Sequence, residues 1–281
     1  MTVRVTAASK LTLTLRVLGT QPDGFHALDA LVVSVSAPAD VLTLDVAPGN
    51  GDADVTCHVS GPASAHVPTD ERNLAVRALQ RLRPTGAAVA LHLHKEIPAG
   101  AGLGGGSADA AAALVALRAA FALPLDDDAL RAEAAELGSD VPFCVAGGAA
   151  WMRGRGERIE PLPVPSPFPV LIAVPPFGCS TPAVYRQWDA MGGPQGVRTV
   201  PAPAAVAHLV DGLEPRLAAF RAAVEGAAGL PAVMAGSGSA YAVCFDDPID
   251  AARAAAAVSL AVPDGLVTVG ETTAAGVLPT E

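Results

Sequence analysis

The sequence predicts an α+β protein built from two parts, and three observations carry that prediction. Residues 3–7 and 11–18 alternate apolar and polar side chains, as half-buried strands do. An Ala-rich segment behind a run of glycines, ADAAAALVALRAAFAL, reads as a long helix with Ser107 at its start and Pro124 at its end. A Pro-rich stretch, PLPVPSPFP at 161–169, reads as a linker, and the residues beyond it mix strand and helix patterns as a small α+β sandwich does. The two parts are expected at about 1–160 and 161–281.

The elements follow in order. Gln21-Pro22-Asp23-Gly24 marks a turn, and 28–36 and 41–46 are further strands. Asn73 to about Arg83 (NLAVRALQRLR) reads as a short helix ended by Pro84, and Val89–His94 as a strand. A second helix at about 127–137 is stopped by Gly138. Pro142 biases Val141 away from helix, and 143–160 reads as a strand pair turning at Gly154 and Gly156. Beyond the linker, Val170–Val174 is strand-like, and 182–191, 203–210 and 213–228 look helical. Val233–Ser239 is a second Gly-rich turn, followed by a strand at Tyr241–Phe245, a helix at 250–260 and a strand at 266–269.

Composition narrows the function. Hydrophobic residues make up 51% of the 281 but aromatics only 4%, so the core is built from Ala, Val and Leu. The formal net charge of −10 argues against sequence-independent binding of DNA or RNA, where phosphate neutralisation supplies most of the affinity. One nucleotide remains compatible with it, because a few backbone amides and one Lys hold phosphates locally. Cys57, Cys144, Cys179 and Cys244 are far apart and form no C-x-x-C, which argues against a zinc site and a disulfide framework and for reduced thiols in the cytoplasm. The N-terminus has a strand pattern and not that of a signal peptide, and no run of about 18 apolar residues predicts a membrane span.

The glycine run is the sharpest chemical signal. Five of the seven residues 100–106 are glycine, so the backbone can lie against a ligand. The helix that follows offers unpaired N–H groups and a positive dipole end, which together make an anion site. Ser107 adds a hydroxyl suited to a phosphate oxygen or Mg²⁺. Two other readings stand beside this one: a plain turn before a helix, and a dinucleotide fingerprint, since Gly100, Gly102 and Gly105 match G-x-G-x-x-G. A Walker A loop is excluded, because no G-K-[ST] follows.

P-A-G-A-G-L-G-G-G-S-A resembles the ATP loop of the GHMP kinases, the superfamily of galactokinase, homoserine kinase and mevalonate kinase. Three more segments extend the resemblance over nearly the whole chain. Ser9-Lys10-Leu11-Thr12-Leu13, with Arg16-Val17 and Pro22-Asp23-Gly24-Phe25-His26-Ala27-Leu28, is similar to A-K-I-N-L and R-P-D-G-Y-H-x-L in the branch whose substrate carries a cytidine diphosphate group. Leu137-Gly138-Ser139-Asp140-Val141-Pro142-Phe143 is similar to L-G-A-D-V-P-F of that branch. Ala235-Gly236-Ser237-Gly238-Ser239 resembles the third superfamily motif, usually S-G-S-G.

The resemblance implies a two-domain GHMP kinase fold: an N-terminal domain like ribosomal protein S5 domain 2, and a ferredoxin-like C-terminal domain. It implies ATP-dependent phosphorylation of a hydroxyl on a small cytidine diphosphate-linked substrate of isoprenoid-precursor synthesis, by a monomer or weak homodimer. The catalytic pair falls on Lys10 and Asp140. A carboxylate near the hydroxyl accepts its proton, and a Lys stabilises charge as it develops. The ATP loop falls on Pro98, Ala99, Gly100, Ala101, Gly102, Leu103, Gly104, Gly105, Gly106, Ser107 and Ala108. Lys95, just before it, either reaches the nucleotide or stands solvated at a strand end. Phe25 and His26 fall at the cytidine end, by stacking and by hydrogen bonding, and Tyr185 would complete an aromatic sandwich with Phe25. Thr12, Gly236 and Ser237 complete the substrate-binding set. Mg²⁺ is expected with ATP, sitting mainly on phosphate oxygens and aided by Ser107 or Asp140, with no dedicated metal ligand.

The chain departs from the pattern at three places: Thr12 stands for Asn, Phe25 for Tyr and Ala235 for Ser. Three rival functions stay open here: another GHMP kinase acting on homoserine, mevalonate or a sugar, an inactive kinase fold that only binds, and a dinucleotide oxidoreductase.

Overall fold

The computed structural model describes residues 1–22, 24–48, 55–163, 166–193 and 214–279. The expected helix 203–210, the start of the one at 213–228, Asp23 of the first turn and residues 164–165 of the linker lie outside the described residues.

Two long antiparallel strands form the frame, β1 (Thr2–Thr20) and β2 (His26–Pro48). The four strands expected here merge into these two. Shifts of register at Ala8/Ser9 and Thr12/Thr14 absorb the breaks in alternation, as β-bulges do. The two halves of β2 then take different neighbours. Residues 41–48 pair with β4 (Ala87–His94), which pairs in parallel with β3 (Val55–Ser60). Residues 28–33 pair with β5 (Ala149–Gly154), which turns back into β6 (Arg158–Leu162). β3 was not expected, although its three apolar residues, Val55, Cys57 and Val59, do alternate.

Five strands of the C-terminal part close the sheet: β7 (Pro169–Val174), β8 (Val233–Met234), β9 (Tyr241–Cys244), β10 (Leu266–Thr273) and the short β11 (Val277–Pro279). β10 joins the two parts, pairing through 266–271 with β7 and through Thr272 and Thr273 with Val35 and Ser34 of β2. β7 is buried on both faces: Val170, Ile172 and Val174 meet the main core, Leu171 and Ala173 a second one. That is why it reads as a continuous apolar run.

Among the described residues seven helices pack on this frame. They are α1 (Leu74–Leu82), α2 (Gly105–Phe121), α3 (Asp127–Ala135), α4 (Val141–Ala146), α5 (Thr181–Ala190), α6 (Arg216–Ala228) and α7 (Pro248–Ala261). Asn73 caps α1, its side chain accepting from the Ala75 N–H, and Asp126 caps α3 in the same way. α2 is the central helix. Ala108 and Ala110–Leu114, Ala116 and Leu117 are all fully buried, so it is apolar almost all round, and alanine lets its neighbours approach closely. α4 corrects the expectation of a strand from residue 143. Pro142 sits in the first turn of that helix, where its missing N–H leaves no helical bond unmade, and strand begins only at Ala149.

One polar cluster lies inside the main core. The ammonium of Lys95, just past β4, bonds the carboxylates of Asp40 on β2 and Asp109 on α2. Asp40 also accepts from the backbone N–H groups of Glu96 (2.6 Å) and Ile97 (2.9 Å). Burial pulls the Lys95 pKa down, but the Asp109 and Asp40 carboxylates outweigh it and raise the pKa overall. Asp109 is pushed well above the ordinary carboxylate range, by burial first and by the charge of Asp40, against the pull of Lys95.

Lys95→Met would leave Asp40 and Asp109 buried without their cation. A loss of about 3–5 kcal/mol is expected in urea unfolding, as for a broken buried ion pair, and a loss under about 1 kcal/mol would show that the cluster does not hold the core.

Candidate active site

The site starts on β1. Lys10 is buried, and its backbone N–H donates to the Leu103 carbonyl at 3.0 Å, which ties the strand to the glycine loop. Its Nζ donates to Thr12 Oγ1 at 3.2 Å. Lys10 and Thr12 share a face because side chains two apart on a strand do. The stem of Lys10 lies where a side chain at Gly104 would be: a Cβ there would sit 2.6 Å from Lys10 Cγ.

Asp140 immediately precedes α4. Its side chain makes no capping bond to that helix, and its Oδ2 lies 3.4 Å from Lys10 Nζ. The two residues, distant in sequence, thus form an ion pair at the wall of one cavity.

That cavity holds about 690 Å³. Gly102, Gly104 and Ser107 of the loop line it. Gly104 stands at the N-cap of α2 with a φ of 71° and no side-chain cap, which leaves the first N–H groups of the helix for a ligand. Gly102 has a φ of 80°, and a methyl there would overlap the carbonyl oxygen of Ala235. The Ala240 N–H donates to the Ala101 carbonyl at 3.0 Å, so the loop and the turn 235–239 touch backbone to backbone. The other loop residues play different parts. Ala101, Leu103 and Ala108 are buried in the core, Ala99, Gly100 and Gly106 are exposed, and Pro98 and Gly105 are half-buried.

The turn supplies Gly236 and Ser237 to the cavity. A Cβ at Gly236 would lie 3.7 Å from Lys10 Nζ, and Ser237 Oγ is 2.8 Å from Thr181 Oγ1 on α5. Ala235 is fully buried and does not line the cavity, so the serine missing there removes no group from its wall.

Aromatic groups line the far end. Phe25 is 52% exposed and carries the Arg155 guanidinium 4.9 Å from its ring centre. His26 stacks on Tyr185 with ring centres 4.7 Å apart and meets Trp188 edge-on at 5.3 Å. Its Nε2 lies 2.8 Å from Asp189 Oδ1. Burial, and secondarily the charge of Asp140, push the Tyr185 phenol up to about 12, so it stays a neutral donor.

One expectation needs correcting. Lys95 neither lines the cavity nor stands in solvent: it is 3% exposed, beneath the loop, because Asp40 and Asp109 hold its ammonium inside. Tyr185 lines the same cavity as Phe25 and stacks on His26, the first residue of β2. Sequence reasoning also missed Arg155, Arg186 and Asp189, all on the cavity wall. Asp189 had a signal, since Tyr185, Trp188 and Asp189 fall at i, i+3 and i+4 of an expected helix. Arg155 had none beyond its place in a Gly-flanked hairpin tip. Burial raises all four thiol pKa values, so none is an activated nucleophile.

Known proteins resemble this chain in sequence and in fold. Residues 73–148 match the GHMP kinases N terminal domain. The chain is 38% identical over 209 residues to the 4-diphosphocytidyl-2-C-methyl-D-erythritol kinase of Cutibacterium acnes, covering 72% of this chain and 66% of that one. It is 36% identical over 297 residues to the enzyme of the same name from Synechococcus elongatus, covering 94% and 92%. A crystal structure of 4-(cytidine 5'-diphospho)-2C-methyl-D-erythritol kinase superposes with a TM-score of 0.74 at 32% identity, over 95% of this chain and 98% of that chain. 

Gly102→Ala would strain the backbone and push the loop off the turn 235–239. Weaker ATP binding, by more than about tenfold, is expected in titration calorimetry, with a stability loss of about 1–3 kcal/mol. An unchanged ATP affinity would separate loop geometry from nucleotide binding.

Proposed function

We infer from these findings that the chain, which belongs to the 4-diphosphocytidyl-2-C-methyl-D-erythritol kinase family of the GHMP kinases, transfers the γ-phosphoryl of ATP to the 2-hydroxyl of that cytidine substrate. The product enters isoprenoid-precursor synthesis. One observation carries the assignment of roles: Lys10 Nζ stands 3.4 Å from Asp140 Oδ2 in the cavity that Gly102, Gly104 and Ser107 also line.

The roles follow from the chemistry. Phosphoryl transfer is largely positioning and charge stabilisation. The open N–H groups at the start of α2 and the Ser107 hydroxyl receive the phosphates. Asp140 accepts the proton of the attacking hydroxyl, the new P–O bond forms as the bond to the β-phosphate oxygen breaks, and ADP leaves. Lys10, held by Thr12 at 3.2 Å, supports the negative charge between donor and acceptor. Thr12 therefore acts on the lysine, which gives the departure from Asn a purpose in this chain. Phe25 and His26 take the cytosine end, where an exposed ring face and a hydrogen-bonding edge are both on the wall.

Mg²⁺ keeps several waters and is bound through one or two carboxylates plus substrate phosphates. Ser107 and Asp140, both on the cavity wall, match that sparse donor set. The bound ion would neutralise phosphate charge.

Residues 1–160 serve as the nucleotide-binding part and 161–281 as the part that closes the cavity from the other side, through α5 and the turn 235–239. No helix among the described residues is long and apolar enough to cross a membrane. The four cysteines are unpaired, which supports a reducing, cytoplasmic setting.

The test is ADP release by the purified chain with ATP, Mg²⁺ and the cytidine substrate. Release no higher than the substrate-free control would reject the assignment. Asp140→Asn should lower kcat by about 10²–10⁴-fold with little change in nucleotide Kd; near-normal turnover would remove the proton-acceptor role.

A further inference from the structure

We propose that Asp189 is a positioning residue that selects the nucleobase: it accepts a hydrogen bond from His26 Nε2–H and so leaves the other ring nitrogen as an acceptor, which suits the exocyclic amine of cytosine and opposes the carbonyl of uracil. The inference rests on the cytidine reading above and extends it to a residue that reading does not use.

One face of α5 grips the imidazole in three ways. Tyr185 lies nearly flat on it, with an interplanar angle of 19°. Trp188 meets it edge-on at 87° and is itself buried. Asp189 Oδ1 lies 2.8 Å from Nε2. The stack sets the plane of the ring, the edge contact limits its slide, and the carboxylate decides which nitrogen turns toward α5.

The carboxylate also decides where the hydrogen is. A carboxylate oxygen only accepts, so the nitrogen that faces it must donate. In the neutral imidazole the second nitrogen then carries a lone pair. Among the described residues Nδ1 has no hydrogen-bond partner, and His26 lines the cavity beside Phe25. Cytosine presents an amine donor at the position where uracil presents a carbonyl acceptor. An acceptor nitrogen gains a bond from the first and opposes a lone pair in the second. Sites that reject a ligand by leaving a polar group unpaired discriminate strongly.

Asp189 stands 163 residues from His26 in the chain, yet it lies beside it on the wall of one cavity. Base selection is thus built across both parts of the protein, with the reading group on β2 and its orienting group on α5.

Two measurements on the chain test this. Long-range nitrogen–proton correlation NMR of the free protein reads the His26 tautomer, and calorimetric titration with CMP and UMP reads selectivity. The wild-type chain should carry the hydrogen on Nε2 and bind CMP more tightly than UMP. Asp189→Ala should mix the tautomers and narrow the CMP-to-UMP preference by about tenfold, the weight of one hydrogen bond. Asp189→Asn, whose amide oxygen still accepts from Nε2, should keep much of both. A wild-type hydrogen on Nδ1 overturns the proposal. So does an Asp189→Ala variant that binds both nucleotides more weakly at an unchanged ratio, which is what a merely structural role would give. A wild-type chain that binds CMP and UMP equally overturns this inference alone, whereas one that binds neither overturns the cytidine reading and this inference with it.

Discussion

A buried lysine between two buried carboxylates decides where the glycine loop sits. Asp40, Lys95 and Asp109 come from β2, from the residue just past β4 and from α2, and they are almost wholly removed from water. Asp40 also holds the backbone N–H groups of Glu96 and Ile97, the last residues before the loop. Both ends of the loop are therefore anchored to the same carboxylate cluster, one through the backbone and the other through α2. Charged groups this deep are tolerated only when paired and hydrogen-bonded. The arrangement that pairs them leaves the loop between them little choice of path.

With its ends held, the loop can serve two close contacts at once. Gly104 lets the stem of Lys10 lie against the backbone, and Gly102 lets the carbonyl of Ala235 do the same. Neither position has room for a Cβ, and both have φ values that favour glycine. The start of α2, Lys10 and the C-terminal turn thus converge within a few ångströms. Asp140 completes the group because its side chain is not spent on capping α4 and is free to face Lys10. Chemistry of this kind depends on geometry held to within fractions of an ångström, which backbone-to-backbone packing provides.

The C-terminal part contributes in two places that are far apart in sequence. The turn 235–239 closes on the glycine loop, and α5 lies along the aromatic end with Tyr185, Trp188 and Asp189 on His26. β10 stabilises this arrangement by pairing with β7 on one side and β2 on the other, so the two parts share a hydrogen-bonded sheet. A cavity between parts joined in this way keeps its walls in register.

Much of this was legible in the order of residues. Alternation marked β1 and β2, the Ala-rich run marked α2, and the glycine motif with Ser9-Lys10 and Asp140-Val141-Pro142 marked segments that meet at one cavity, because these signals are local or lie within one motif. The structure alone decided what depends on distant partners. It made one continuous strand of each expected pair by placing bulges where alternation lapsed. It made a helix of Val141–Ala146, because proline in a first turn gives up no bond. It drew Lys95 inward, since a lysine beside a loop looks alike in sequence whether solvent or two carboxylates await it. It laid Tyr185 on His26, and it brought Asp189 to His26. Local pattern states which side chains a segment can bury or expose; only the closed chain states which charges must share the interior, and that electrostatic requirement is what set the site.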